Sequence, residues 1–570
     1  MGAPLTIPSP SMGTVQRTQR LQGLAAMLTL ASLFTVVAGC TGSVLGANEA
    51  GAGGGKNTPG SVNAGLSPFR HLTRTQYANA LETVFGRRFD AWAAELPPDE
   101  VSIGYEVGSN VSPTHAEGYL TLAERIGDAV GADPRGLLPC VGDTPAEACI
   151  LDFIKATGKR AFRRSLTDDE VTALKALYDS GSEEDGAAGG LSLVVEGLLS
   201  AASFLYVIEQ TPAAADPGDA VRLSGVEIAT RLSLLLWDTT PSTELIDAAE
   251  AGELDTDDGV REQAALMLQS TRARDGIRRF YGQWLGVQDL AGVKRDGDFT
   301  RFPDPLTLNE DMRASLDAFI DEVVWEQDGG IRALLLSRFA YVTPNLAVTF
   351  DVPAPEGTEM MVRIAEAPHR AGILTHPAFL TRMARSVGSD PVHRGRFVRE
   401  RLLCDPLPPP PDAVAGTPQD DTSGLTTREK YAEHSNNENC RGCHALMDPL
   451  GFALENFDQL GEFRDTEEGK TVDASGSVIE GGDADGEFDD AQGLAALLAN
   501  SSEVERCMAR QLFRFAVGRP DGEDDADELD RALELARERD GSIRALLEAF
   551  VTTPSFTQMI VSEGTGGEGS

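Results

Sequence analysis

Residues 502–518, SEVERCMARQLFRFAVG, read as a single helix from end to end. Ser502 and Glu505 have the spacing of a capping box, in which a hydroxyl and a carboxylate each satisfy a backbone N–H that has no partner inside the helix. Val504, Cys507, Met508, Leu512 and Phe515 recur at three- and four-residue intervals and share one face. Gly518 supplies the stop, since a left-handed residue there carries no Cβ penalty. The same pattern repeats outward along the chain. Arg70–Gly86 carries the stripe Leu72, Tyr77, Leu81, Val84 and Phe85, Phe153–Asp179 gives two helices around a turn at 163–167, and Leu191–Glu209 is a hydrophobic helix. Val226–Leu236, Ser242–Ala251, Val260–Leu285 and the acidic amphipath Leu306–Gln327 continue the series, while strand signals shrink to short pieces such as Met360–Ile364. The expected fold class is mainly α, a multi-domain helical array.

Composition narrows the function. Lys and Arg number 49 against 89 Asp and Glu, a net charge of −40 over 570 residues. A nucleic-acid binder is excluded, because phosphate contacts need clustered Lys and Arg. The longest internal apolar stretch, Gly197–Ile208, is too short to span a bilayer and reads as buried helix. Pro406 and Pro408–Pro411 form a stiff spacer between the preceding body and a C-terminal unit that begins near Thr426.

The N-terminus sets the compartment. Arg17 and Arg20 precede the apolar Leu21–Gly39, a basic region followed by a hydrophobic one. That stretch ends in Val37-Ala38-Gly39-Cys40, which resembles the bacterial lipoprotein signal. The resemblance implies that Cys40 is lipidated, becomes the first residue of the mature chain and tethers an exported body to the cell envelope. Thr41 after the cysteine, by similarity to enterobacterial sorting, favours the outer membrane. An uncleaved N-terminal anchor is the alternative for the same segment. Thr41–Leu66, with eight glycines, is a flexible tether spanning about 28 Å.

Seven cysteines punctuate the chain. Cys440-Arg441-Gly442-Cys443-His444 has the spacing of covalent c-type haem attachment. Cysteines three residues apart on a helical turn share a face and can form thioethers with two vinyl groups. The adjacent His444 is then carried under the iron as proximal ligand. A zinc site would need two more ligands, but no histidine follows His444 and Cys507 is the only later cysteine. A thioredoxin-like dithiol would want a βαβ setting. One covalent haem c, held by Cys440, Cys443 and His444, is therefore expected. Four cysteines remain, and in an exported chain they point to disulfides. Cys140–Cys149 would close a short loop, and Cys404–Cys507 would tie the spacer to the helix at 502–518. Separate buried thiols at Cys404 and Cys507 are the alternative.

The stretch 440–464, CRGCHALMDPLGFALENFDQLGEFR, resembles the haem segment of large secreted proteins of planctomycetes and myxobacteria. Those proteins consist of a fixed series of domains of unknown function and end in a cytochrome-c-like part. Leu72–Gly86, Lys159–Glu170 (KRAFRRSLTDDE), Arg370–Pro411 and Cys507–Arg519 (CMARQLFRFAVGR) are similar to other parts of the series. The resemblance implies a C-terminal cytochrome-c-like helical haem unit. The resulting division is signal 1–39, tether 40–66, helical domains 67–135, 136–212 and 213–350, connecting domain and spacer 351–412, haem-binding segment 413–465, C-terminal helical domain 466–562 and tail 563–570.

A low-spin electron carrier needs a sixth iron ligand, usually Met or His. Met447 falls on the proximal side, and the segment Asp465–Arg506 holds neither residue type. Met508, Met559, His376, His393 and His434 remain, with Met508 the named candidate and a plain core role its competitor. Asp448 and Pro449 are expected to end the haem helix, with Asp448 capping Leu450–Phe457 or orienting His444 through a backbone carbonyl. Arg441 and Arg464 could pair with haem propionates. The acidic tract Glu480–Asp490 lacks the spacing of a calcium loop when read from Asp483 and is expected as a solvated loop. Three functions follow in order. The first is an envelope-anchored monohaem cytochrome passing electrons to or from a basic partner. The second is a haem-dependent oxidase or peroxidase on an extracellular substrate, which an open sixth site would permit. The third is a non-enzymatic envelope scaffold with structural haem.

Overall fold

A computed structural model of the chain describes residues 70–561, apart from 110, 135–136, 138–144, 211–214, 357–360, 409–423 and 436–439. The signal, Cys40, the tether, Cys140 and most of the proline run lie outside the described residues. The rest is mainly helical, and each described sheet is a two-stranded antiparallel ladder. No described helix is long and apolar enough to cross a membrane.

Buried apolar residues form two cores. The first draws on residues 72–207 together with Leu234 and is built mainly by helices Arg74–Phe85, Pro113–Ala132, Glu147–Phe162 and Asp168–Ser200. Local signals place them. Thr73 with Gln76, and Thr167 with Glu170, close reciprocal capping boxes, and Gly86 ends the first helix at φ +66°. The hydrophobic stretch expected as a helix over 191–209 instead belongs to the kinked helix Asp168–Ser200, followed by Ala202–Leu205 and the strand Tyr206–Val207. Buried Arg163 explains the early stop. It donates to the carbonyls of Ser203, Phe204 and Tyr206, and the strand pairs with Arg70–His71.

The second core runs from Leu223 to Phe556 and also takes in Tyr105. The helix expected over 260–285 is two helices, Asp257–Leu268 and Arg272–Trp284. Trp237 Nε1 donates to the Met267 carbonyl at 3.1 Å, the acceptor that a continued helix would use. Leu308–Asp321 passes into a π-helical turn, Glu322–Glu326. Val362–Ile364 pairs with Ala340–Val342, and the last strand, Gln558–Ile560, returns to Ala220–Arg222. The proline-rich stretch separates its flanks along the chain but not in space, since Phe397 and Leu402 share this core with Leu450, Leu454 and Phe457.

The helix at 502–518 forms as Ser502–Val517 with Gly518 at φ +78°. Its cap differs from the expected box. Ser501 accepts from the Glu503 and Val504 N–H groups, while Asp483 accepts from the Ser502 N–H and hydroxyl and from the Ser501 hydroxyl. The acidic tract thus contributes a helix cap, because a carboxylate reaches orphan donors that Ser502 alone would not satisfy.

Candidate functional site

The CxxCH segment begins the helix Arg441–Phe452, with Cys440 at its N-cap. The His444 N–H donates to the Cys440 carbonyl at 3.1 Å, so one helical turn carries both cysteines and the histidine. Cys440 and Cys443 are free thiols, half-buried. The His444 side chain is 12% exposed, and its Nδ1 lies 2.9 and 3.0 Å from the two carboxylate oxygens of Asp448, itself 3% exposed. The group that meets Nδ1 is the Asp448 side chain one turn along. With a proton on Nδ1 the ring keeps its lone pair on Nε2, the tautomer suited to binding a metal.

Asp448 and Pro449 do not end this helix. It continues to Phe452 with Pro449 inside, an arrangement that costs about 3 kcal/mol in an isolated helix. Packing against Pro391–Phe397 offsets that cost. A Cβ on Gly395 would sit 1.9 Å from the Met447 carbonyl, and one on Gly451 would sit 1.8 Å from the Pro391 carbonyl. The two backbones touch because both positions lack a side chain.

Beyond Phe452 the chain loops to Arg464, and buried arginines hold the loop. Arg394, 0% exposed, donates to the carbonyls of Leu454, Phe457, Asp458 and Leu380. Arg370 lies between the rings of Phe350 and Phe457, 4.7 and 4.8 Å from their centroids. It donates to the Thr349, Thr375 and Gly461 carbonyls. Arg399 takes the Ile479 and Glu480 carbonyls. Burial lowers the pKa of Arg370 to about 9 and that of Arg394 below the usual guanidinium value, with Glu455 opposing the shift at Arg394. Burial raises Glu455 despite the nearby Arg394 and Arg464.

The other expected site residues take structural places. Met508 is buried in the second core and lines a small cavity with Ile331, Leu533 and Leu546, which favours its core role over iron ligation. Met559 sits in the closing strand Gln558–Ile560. His376 is buried, accepts from the Ala378 N–H through Nδ1, and is pushed down to about 3 by burial and then by Arg370, so it stays neutral as a helix cap. His393 Nδ1 pairs with Asp390 at 2.7 Å, and that bond holds the imidazole pKa above its ordinary value. His434 lies on the helix Thr427–Ser435. Arg441 is exposed. Arg464 pairs with Glu455 and Glu467, so its guanidinium is already engaged within the fold. Cys404 and Cys507 are joined in a disulfide, as expected. Cys149 is also disulfide-bonded, and its expected partner Cys140 lies outside the described residues.

Sequence reading missed the carboxylate–histidine pair and the arginine clamps. The i,i+4 spacing of His444 and Asp448 was a usable signal for the first. Nothing local distinguishes Arg394 or Arg399 from a surface arginine, because most of the carbonyls they bind lie about 60 to 80 positions away in the chain.

Five family models match successive parts of the chain. Each is described as a protein of unknown function: DUF1587 over 70–132, DUF1595 over 149–209, DUF1592 over 223–352, DUF1588 over 370–467 and DUF1585 over 485–556. The chain is thus similar to a multi-domain family of unknown function, and its CxxCH helix, the Arg370 and Arg394 clamps and the Gly395–Gly451 contacts all fall within the DUF1588 stretch. No curated protein and no solved structure matches it.

Proposed function

We propose that the chain is a monohaem c-type cytochrome, anchored in the cell envelope through lipid on Cys40, that passes electrons to or from a partner protein. The planctomycete and myxobacterial kinship belongs to the same reading. One observation carries it: two free thiols and an imidazole share the first turn of the helix Arg441–Phe452, and a buried carboxylate holds the imidazole's far nitrogen. The donor set suits haem c, with Cys440 and Cys443 available for thioethers and His444 for iron. Bound there, haem would supply a one-electron couple.

The protein's own groups do the positioning. The helical turn sets the spacing of the thiols, Asp448 fixes the ring and its tautomer, and Arg394 fixes the loop behind the helix. The net charge of −40 favours a basic partner, with association weakening as salt rises. A pyridine haemochrome spectrum of protein exported by a host with c-type haem maturation tests the reading. One covalent haem per chain supports it. A haem-free product, with maturation working on a control, leaves the envelope scaffold instead.

The Asp448 contact also favours a second reading, a haem-dependent oxidase or peroxidase, since a carboxylate on the ligand histidine makes it a stronger donor. Carbon monoxide binding to the ferrous protein would support it, and refusal of carbon monoxide would favour electron transfer alone.

A further inference from the structure

Asp448 stands out among the acidic residues of the C-terminal half because it is buried and directed at the imidazole of the CxxCH motif. Both of its oxygens lie within 3.0 Å of His444 Nδ1. The contact spans one helical turn, and the packing that buries Asp448 fixes its backbone, since Met447 and Gly451 on either side meet the backbone of Pro391–Phe397. Arg394 and Arg464 face Glu455, and Arg385 faces Asp390. Their bonds hold the loop and the neighbouring helix.

We propose that Asp448 is the positioning residue for the axial histidine and sets the potential of the bound haem. This inference rests on the haem reading above. By accepting the Nδ1 proton in a hydrogen bond, the carboxylate gives the imidazole partial anionic character. An electron-rich ligand stabilises the ferric state more than the ferrous state, and burial strengthens the effect by lowering the local dielectric. The proton stays on Nδ1 throughout, and the couple exchanges one electron with the redox partner. Asp448 therefore biases the couple towards the oxidised form and touches neither the iron nor the partner.

The test compares Asp448→Asn and Asp448→Glu with wild type, as full-length protein exported with haem maturation. Covalent haem is read on denaturing gels and midpoint potential by spectroelectrochemical titration. Asn keeps the shape and a hydrogen-bond acceptor but removes the charge. The Asn variant is expected to carry haem, with its ferric preference reduced by about tenfold or more, a rise of about 59 mV or more for one electron. The Glu variant, which restores the charge, should return part of that shift. A haem-loaded Asn variant with the wild-type potential overturns the proposal, as does a Glu variant shifted as far as Asn. If the Asn variant fails to load, nitrogen-15 histidine NMR of the haem-loaded wild type decides: a protonated, hydrogen-bonded Nδ1 on His444 supports the proposal and an unprotonated Nδ1 overturns it. Wild-type protein without covalent haem removes the haem reading itself. Haem-loaded protein indifferent to Asp448 removes only this role.

Discussion

The helices Ser502–Val517 and Arg441–Phe452 both carry cysteines, yet they are held in opposite ways. Ser502–Val517 has every local support a helix can have: Ser501 and Asp483 cap its start, an apolar face fills the core, and a left-handed glycine ends it. Its Cys507 is tied to Cys404 across 103 residues of chain. Arg441–Phe452 has no side-chain cap bond at its start and carries a proline inside. It persists because Gly395 and Gly451 allow backbone contact and because Arg394 collects the carbonyls beyond its end. The CxxCH segment is thus stabilised from outside itself. Local rules are broken most where a site needs a particular geometry, and tertiary contacts compensate.

Changes at four sites test that contrast: the Arg394 clamp, the Cys404–Cys507 disulfide, Gly451 and the Asp483 cap. The largest effect is expected at Arg394. Arg394→Met removes one of the two cations beside buried Glu455 and leaves several carbonyls without their donor, a loss of roughly 3–5 kcal/mol in denaturant unfolding. Arg394→Lys should not rescue it, because an ammonium cannot reproduce the planar fork. Wild-type stability in Arg394→Met would remove the clamp from the account.

Removing the disulfide with paired Cys404→Ala and Cys507→Ala should cost about 2–4 kcal/mol, seen as a lower midpoint in non-reducing denaturation. Gly451→Ala inserts a methyl group where there is no room and should cost about 1–3 kcal/mol. Its effect should reach the CxxCH helix first, so amide exchange there should rise before exchange in Ser502–Val517 does. Equal acceleration in both helices would mean that they unfold together and that the contrast is only geometric.

The smallest effect belongs to Asp483→Ala, about 1 kcal/mol for a lost cap. Burial opposes ionisation at Asp483, but bonds from Ser501, Ser502 and Glu503 outweigh it and hold the carboxyl at about 2. A depressed folded value means that this stabilisation is present above the ordinary carboxyl value near 3.8 and is lost as pH falls towards 2. Acid titration of stability should therefore flatten over that window in Asp483→Ala. An unchanged acid limb would sink the assignment.

How much was legible varies with how local the cause is. Tyr77, Leu81 and Val84 announce their helix because a 3.6-residue period places them on one face, and Thr73, Thr167 and Gly518 mark ends through bonds within a few residues. The pairing of Cys404 with Cys507 was accessible from a short count of thiols in a chain read as exported. The course of the helix through Pro449 was not, because proline normally ends a helix and its tolerance here depends on Gly395, more than 50 positions away.

The sequence by itself determined the mainly helical class, the main helical stripes and many of their stops, and the grouping of Cys440, Cys443 and His444, since all of these follow from spacings within one or two helical turns. Tertiary structure alone decided which charges are buried, that Asp448 turns its carboxylate to His444, that Arg394 closes the loop behind it, and that Met508 belongs to the core. Those outcomes depend on which distant backbones come close enough to exclude water, and no local period encodes that distance.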